Sequence, residues 1–110
     1  MTNLTTFQSI QSELKVNKQG KAFCSIRGAA RLAGVDQSML VQSLKTREGT
    51  NPSKLATILI NKGFKHEVFS ETGITDIALA VILEYYAFHA GARCTQQAKN
   101  MLVAFNYLFH

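Results

Sequence analysis

A chain of 110 residues, 46% of them hydrophobic, is long enough to bury one core and gives no reason to expect two. It has no Gly/Ser-rich or Pro-rich linker, no sustained block of like charge and no solenoid-like period, which excludes a repeat array and argues against a disordered tail. The net charge of +5 is uneven: residues 1–65 hold ten Lys and Arg against three acids, and residues 66–110 hold two against four. A basic front and an acidic rear are expected where one portion meets a polyanion and the other packs or oligomerises, with solubility alone as the plain alternative.

Phe7, Ile10 and Leu14 fall at helical spacing, and Leu14, Val16, Ala22, Cys24 and Ile26 alternate around the turn-rich "NKQGK". That pattern predicts a weak helix followed by a short β-hairpin. Lys15, Lys18 and Lys21 cluster at the hairpin tip with Gly20, making Lys18 and Lys21 candidate phosphate contacts. Guarding an exposed strand edge explains the same lysines equally well.

Ser25 predicts the cap of a helix over residues 26–33, Gly34 its left-handed stop, and Asp36 the cap of a second helix from Gln37 to about Thr46. Leu40, Val41 and Leu44 form the inward side of that second helix, which ends near Gly49. Asn51 and Pro52 read as the N-cap and first position of a helix carrying Leu55, Ile58 and Leu59, closed by Gly63 and followed by a loop to Gly73. From Thr75 or Asp76 to Ala90 the chain is apolar nearly all round, as only a central helix covered by neighbours tolerates, and Gly91 ends it. Thr95 caps a last helix striped by Ala98, Met101, Leu102, Phe105, Leu108 and Phe109. Its apolar end reads three ways: it docks on its own domain, pairs with a second copy, or leads into a longer protein.

The stretch "SIRGAARLAGVDQSMLVQSL" has the parts of a helix-turn-helix: Ala29, Ala30 and Ala33 are small where helices cross, Gly34 allows positive φ, and Val35 and Leu40 anchor. Ser43 stands where an aliphatic residue is usual, with Leu44 placed to serve instead. If the unit docks on a duplex, Gln37, Ser38 and Gln42 face base edges, with Lys45 one turn further on; glutamine can grip adenine through two hydrogen bonds. Arg27 and Arg31 then lie along one phosphate strand, and Thr46 and Arg47 hold the other side. Gly28, between the two arginines, costs its helix about 1 kcal/mol against alanine. A close approach of phosphate or of a neighbouring helix accounts for it, the helix being the plainer reading.

The segment "FCSIRGAARLAGVDQSMLVQSL" resembles the openings of phage and bacterial regulator domains that carry a short hairpin before the helix pair, and regulators common in cyanobacteria. The later "FSETGITDIALAVILEYYAFHAGARCTQQAKNMLVAF" is similar in layout to phage antirepressor N-terminal domains, with a strand-like entry, an apolar helix and an alanine-bearing last helix. The resemblance spans about residues 22–105. It implies DNA binding and phage- or bacterial-type transcription regulation, supports Gln37, Ser38 and Gln42 as base-facing and Arg27 and Arg31 as phosphate-facing, and implies no catalytic residue.

Little in the chain points to chemistry. His66, His89 and His110 are not at ligand spacing, and His89 beside Phe88 reads as a core or interface histidine. Cys24 and Cys94 stand alone and read as buried, reduced thiols. Glu84 has no acid/base partner in sequence and is expected to face water or pair with a lysine. No phosphate loop, nucleophile elbow or carboxylate pair occurs, so no enzyme, metal or cofactor is expected. Tyr85, Tyr86, Phe88, Phe105, Tyr107 and Phe109 lie in the acidic rear, where core or dimer contact outweighs base stacking.

The expectation is therefore one mainly α domain, whole or the front of a longer protein, with a helix-turn-helix, an N-terminal hairpin and a C-terminal helical core or dimerisation part. It would act in the cytoplasm, at the nucleoid, as a homodimer on double-stranded DNA. The rivals are an adaptor or inhibitor that grips protein through the apolar rear, and a binder of single-stranded nucleic acid or RNA.

Overall fold

The computed structural model describes residues 4–16, 18–44, 53–65, 69 and 73–109. Lys45, Thr46, Arg47, Gly49, Asn51, Pro52, His66 and His110 lie outside the described residues, as do the side chains of Phe7, Leu108 and Phe109. In chain order the elements are α1 (Leu4–Glu13), β1 (Lys15–Val16), β2 (Ala22–Cys24), α2 (Ile26–Ala33), α3 (Gln37–Leu44), α4 (Lys54–Asn61), β3 (Ile74–Thr75), α5 (Asp76–Glu84) and α6 (Gln96–Phe109). A π-turn over Tyr85–His89 and a 3₁₀ turn over Gly91–Arg93 join α5 to α6.

The fold is mainly helical with a small antiparallel sheet, and the hairpin gains a partner that alternation could not reveal. β2 lies between β1 and β3, with Lys15 opposite Phe23, Val16 opposite Ala22, and Ile74 opposite Cys24. Two-residue strands are too short for a period-2 signal. The third strand anchors the hairpin to the start of α5, because Thr75 is both the end of β3 and the cap of α5, accepting from the Ala78 N–H at 3.3 Å.

The core is assembled from Ile10 of α1, Ala29, Ala30, Leu32 and Ala33 of α2, Leu40 and Leu44 of α3, Leu55 and Leu59 of α4, Leu79, Ile82 and Leu83 of α5, and Ala98, Ala104 and Phe105 of α6. The alanines of α2 are there because other helices cross it closely; a larger side chain would hold the backbones apart. Leu44 is buried as expected, whereas Val41 is only half-buried.

The helical parts depart from expectation at the start of α4 and settle alternatives elsewhere. Ser53, not Asn51, caps α4: its hydroxyl accepts from the Ala56 N–H at 3.0 Å and donates to the Ser43 carbonyl at 2.5 Å. Beyond Glu84 the helix widens into the π-turn, and the extra residue rotates the later side chains about the axis. Tyr86 is buried, while Phe88 and His89 are exposed, which removes the core alternative for both and leaves that of an interface. Glu84 is exposed and faces water as expected, with its carboxylate 3.6 Å from the His89 imidazole. Tyr107 is exposed on α6, so Phe69, Tyr86 and Phe105 are the buried rear aromatics among the described side chains.

Cys24 is a free thiol in the core. Burial pushes it up to about 12 from an ordinary value near 9, and the Glu13 carboxylate adds to the shift. Burial raises Tyr86 as well, against the opposing hydrogen bond from Ser43. Both groups are neutral in the fold and ionise more readily in the unfolded chain, so their contribution is complete below pH 9 and is lost as pH rises above it. Denaturant melts at pH 7, 9 and 10.5 should show falling stability, with a smaller fall in Cys24→Ala; equal falls in the two proteins would contradict this assignment. Among the described residues no helix is long and apolar enough to cross a membrane.

Candidate nucleic-acid interface

α2, the turn and α3 form the unit the sequence announced. Ser25 caps α2, its hydroxyl accepting from the Gly28 N–H at 2.9 Å. Gly34 stops the helix with φ +73, while the Gly34 and Val35 N–H groups donate back to the Arg31 and Ala30 carbonyls at 3.3 and 3.0 Å. Asp36 opens α3: its carboxylate accepts from the Ser38 N–H at 2.8 Å and the Ser38 hydroxyl at 2.5 Å, bonds that hold it below the usual carboxylate range.

The two helix ends that frame the turn are closed from elsewhere in the chain. The Thr95 hydroxyl donates to the Ala33 carbonyl at 2.5 Å and accepts from the Ala98 N–H at 2.9 Å, serving the end of α2 and the start of α6 together. Gln97 Nε2 donates to the Arg31 carbonyl and, at 3.4 Å, to that of Leu32. Ser53 plays the Thr95 part at the far end of α3. Ser43, the departure from the aliphatic pattern, turns its hydroxyl back on its own helix and donates to the Met39 carbonyl at 3.0 Å, so its polar group is satisfied where it is half-buried.

At 100° per residue the faces of α3 are distinct. Leu40 and Leu44 point into the core, and Ser38 and Gln42 form an outward ridge. Gln37 and Val41 lie on one flank, in a cleft of about 700 Å³ with Lys15, Arg27 and Arg31 on its walls. Met39 and Ser43 lie on the other flank, in a cleft of about 410 Å³ that reaches Ser53 and Arg93. Gln37, Ser38, Gln42, Arg27, Arg31, Lys18 and Lys21 are all exposed.

The predicted residues are not equivalent. Arg27 Nε donates to Gln37 Oε1 at 3.1 Å; because a guanidinium only donates, this contact occupies the acceptor of Gln37 and leaves its amino group available. Gln42 has no hydrogen-bond partner among the described residues and keeps both. Arg31, the other expected phosphate contact, is paired with Glu13 of α1, with Nε at 3.0 Å and Nη2 at 3.1 Å from its two carboxylate oxygens. Gly28 makes the room: a Cβ there would sit 2.7 Å from Glu13 Oε2, so the close approach it permits is that of a neighbouring helix.

Of the hairpin lysines, Lys15 lines the larger cleft, and Lys18 and Lys21 do not. Arg93 was missed by sequence reasoning. It belongs to the acidic rear in sequence, and only the tertiary fold carries it to the flank of α3, where it has no ion-pair partner among the described residues. No cluster of three or more His, Cys, Asp or Glu side chains comes together among the described residues. Comparison with protein-family models, with curated proteins and with solved structures finds no match to this chain.

Proposed function

We propose that the protein binds double-stranded DNA sequence-specifically, as a phage- or bacterial-type transcription regulator, with α3 entering the major groove. The observation that carries this reading is the arrangement around α3: an exposed polar ridge of Ser38 and Gln42, flanked by Arg27 on one side and Arg93 on the other. A helix in the major groove lies between two phosphate strands, and a cation on each flank suits both. Gln42 on the ridge is the reader, Gln37 a donor-only reader held by Arg27, and Arg31 a lesser contributor while Glu13 neutralises it. Lys45, Thr46 and Arg47, which come directly after α3, remain proposed contacts by sequence position.

Selection from random duplex DNA at near-physiological salt, then titration of the selected duplex, its single strand and the matching RNA at several salt concentrations, tests the proposal. The duplex should bind far more tightly than either rival probe. Arg27→Ala and Arg93→Ala should each weaken binding to every duplex and reduce the slope of log affinity against log salt by about 0.9, the loss of one phosphate contact. Equal affinity for single strand and duplex would reject groove reading, and an unchanged salt slope in Arg93→Ala would remove that residue from the interface.

A further inference from the structure

Outside the α2–α3 unit, large apolar side chains remain exposed on the rear of the molecule, where Phe88 is 61%, Val103 61% and Tyr107 78% exposed. On α6, Lys99, Val103 and Tyr107 succeed one another at four-residue steps and so share one outward face, while Ala98, Met101, Ala104 and Phe105 point into the core. Phe88, on the π-turn, joins this face at its Lys99 end, the Lys99 ammonium lying 5.9 Å from its ring centre.

We infer that this face binds a second copy of the chain, with the two α6 helices antiparallel across a two-fold axis at Val103. The pattern of the face is its own complement. A two-fold at Val103 places position 99 opposite position 107 of the other copy. Val103 then meets Val103 and the Lys99 ammonium with its Phe88 neighbour meets the Tyr107 ring, while Asn106 and Asn100, whose Oδ1 already accepts from Gln96 Nε2 at 3.1 Å, lie on opposite rims. At 1.5 Å per residue, Lys99 and Tyr107 lie about 6 Å on either side of the axis, so the two ammonium groups are about 12 Å apart along the helix and each faces an aromatic ring, not the other. Apolar contact at the centre, cation against aromatic on each side and neutral amides at the edge are what a symmetric interface needs. The pairing does not depend on what α3 binds.

One helix face with one added aromatic is a small interface, so the dimer is reversible, with a dissociation constant in the micromolar range or weaker. Disulfide trapping tests it in the full chain on a Cys94→Ser background, which leaves only core Cys24 as a native thiol. Val103→Cys should cross-link to itself on mild oxidation. Lys99→Cys and Tyr107→Cys should cross-link to each other when mixed with distinguishable tags, and more readily than either does with itself. Sedimentation equilibrium of the wild type should show a monomer–dimer equilibrium, which Val103→Glu weakens at least about tenfold, since it sets two carboxylates against each other on the axis. Val103 is exposed, so a native circular dichroism spectrum for Val103→Glu separates lost association from lost folding. A wild type monomeric up to millimolar concentration, or cross-linking with no preference for the Lys99–Tyr107 combination, overturns the interface.

Discussion

Gly34→Val should lower stability by about 2–3 kcal/mol and the melting temperature by about 10 °C, the largest effect expected of any exposed position in the molecule. Two costs combine. Gly34 sits at φ +73, a conformation that a β-branched residue reaches only with strain, and an added Cβ would lie 3.1 Å from Cβ and Oε1 of Gln97. Gln97 is the residue that closes the last carbonyls of α2, so pushing it aside leaves the Arg31 and Leu32 carbonyls less well bonded. Gly63 provides the comparison, because it has φ +90 at the end of α4 with nothing within 4 Å of its added Cβ. Thermal melts of Gly34→Ala and Gly63→Ala should therefore differ, Gly34→Ala being the less stable, and Gln97→Ala should bring the two closer together. Equal melting temperatures would show that Gln97 does not support the turn.

That result bears on how the unit is built. Thr95 and Gln97, at the start of α6, bond the last carbonyls of α2, and Ser53, at the start of α4, bonds a late carbonyl of α3. Each hydroxyl also caps its own helix, so one side chain fixes the beginning of one helix against the end of another. The turn between α2 and α3 is thereby set by the rear of the molecule as well as by Gly34.

Where the physical signal was local, the sequence was sufficient. Ser25, Gly34 and Asp36 act within three or four residues, as does the capping half of Thr95, and each occupies the place its type predicts. Ser53 was passed over because Asn51 and Pro52, just before it, carry a competing signal of their own for a cap and a first helical position. The Glu13–Arg31 pair spans eighteen positions, and Gly28 between the arginines recorded the closeness of something without saying what. The choice between core and interface for Phe88 and His89 was not legible, because the stretch is apolar nearly all round and the π-turn after Glu84 adds a residue that no constant helical period anticipates. Arg93 left no local trace at all. A single arginine in an acidic stretch gains meaning only from the helix that the fold sets beside it.

Gln42→Ala should relax sequence preference at one base pair by about 1–3 kcal/mol, whereas Gln37→Ala should have a smaller effect on preference. The distinction comes from hydrogen-bond inventory. Gripping adenine takes one acceptor and one donor from the same amide, and Arg27 already occupies the acceptor of Gln37, while both ends of the Gln42 amide are uncommitted among the described residues. Arg27→Ala then has two consequences that can be separated: a loss of affinity common to all duplexes from the missing phosphate contact, and a release of the Gln37 acceptor that changes which base is preferred beside it. Binding of a panel of single-base variants to wild type, Gln37→Ala, Arg27→Ala and the double variant measures the coupling. If Arg27→Ala shifts preference in the wild type but not in the Gln37→Ala background, the guanidinium sets the reading of Gln37. If Gln42→Ala weakens every duplex alike, α3 does not read bases through its outward ridge, and the groove-reading proposal fails at its centre.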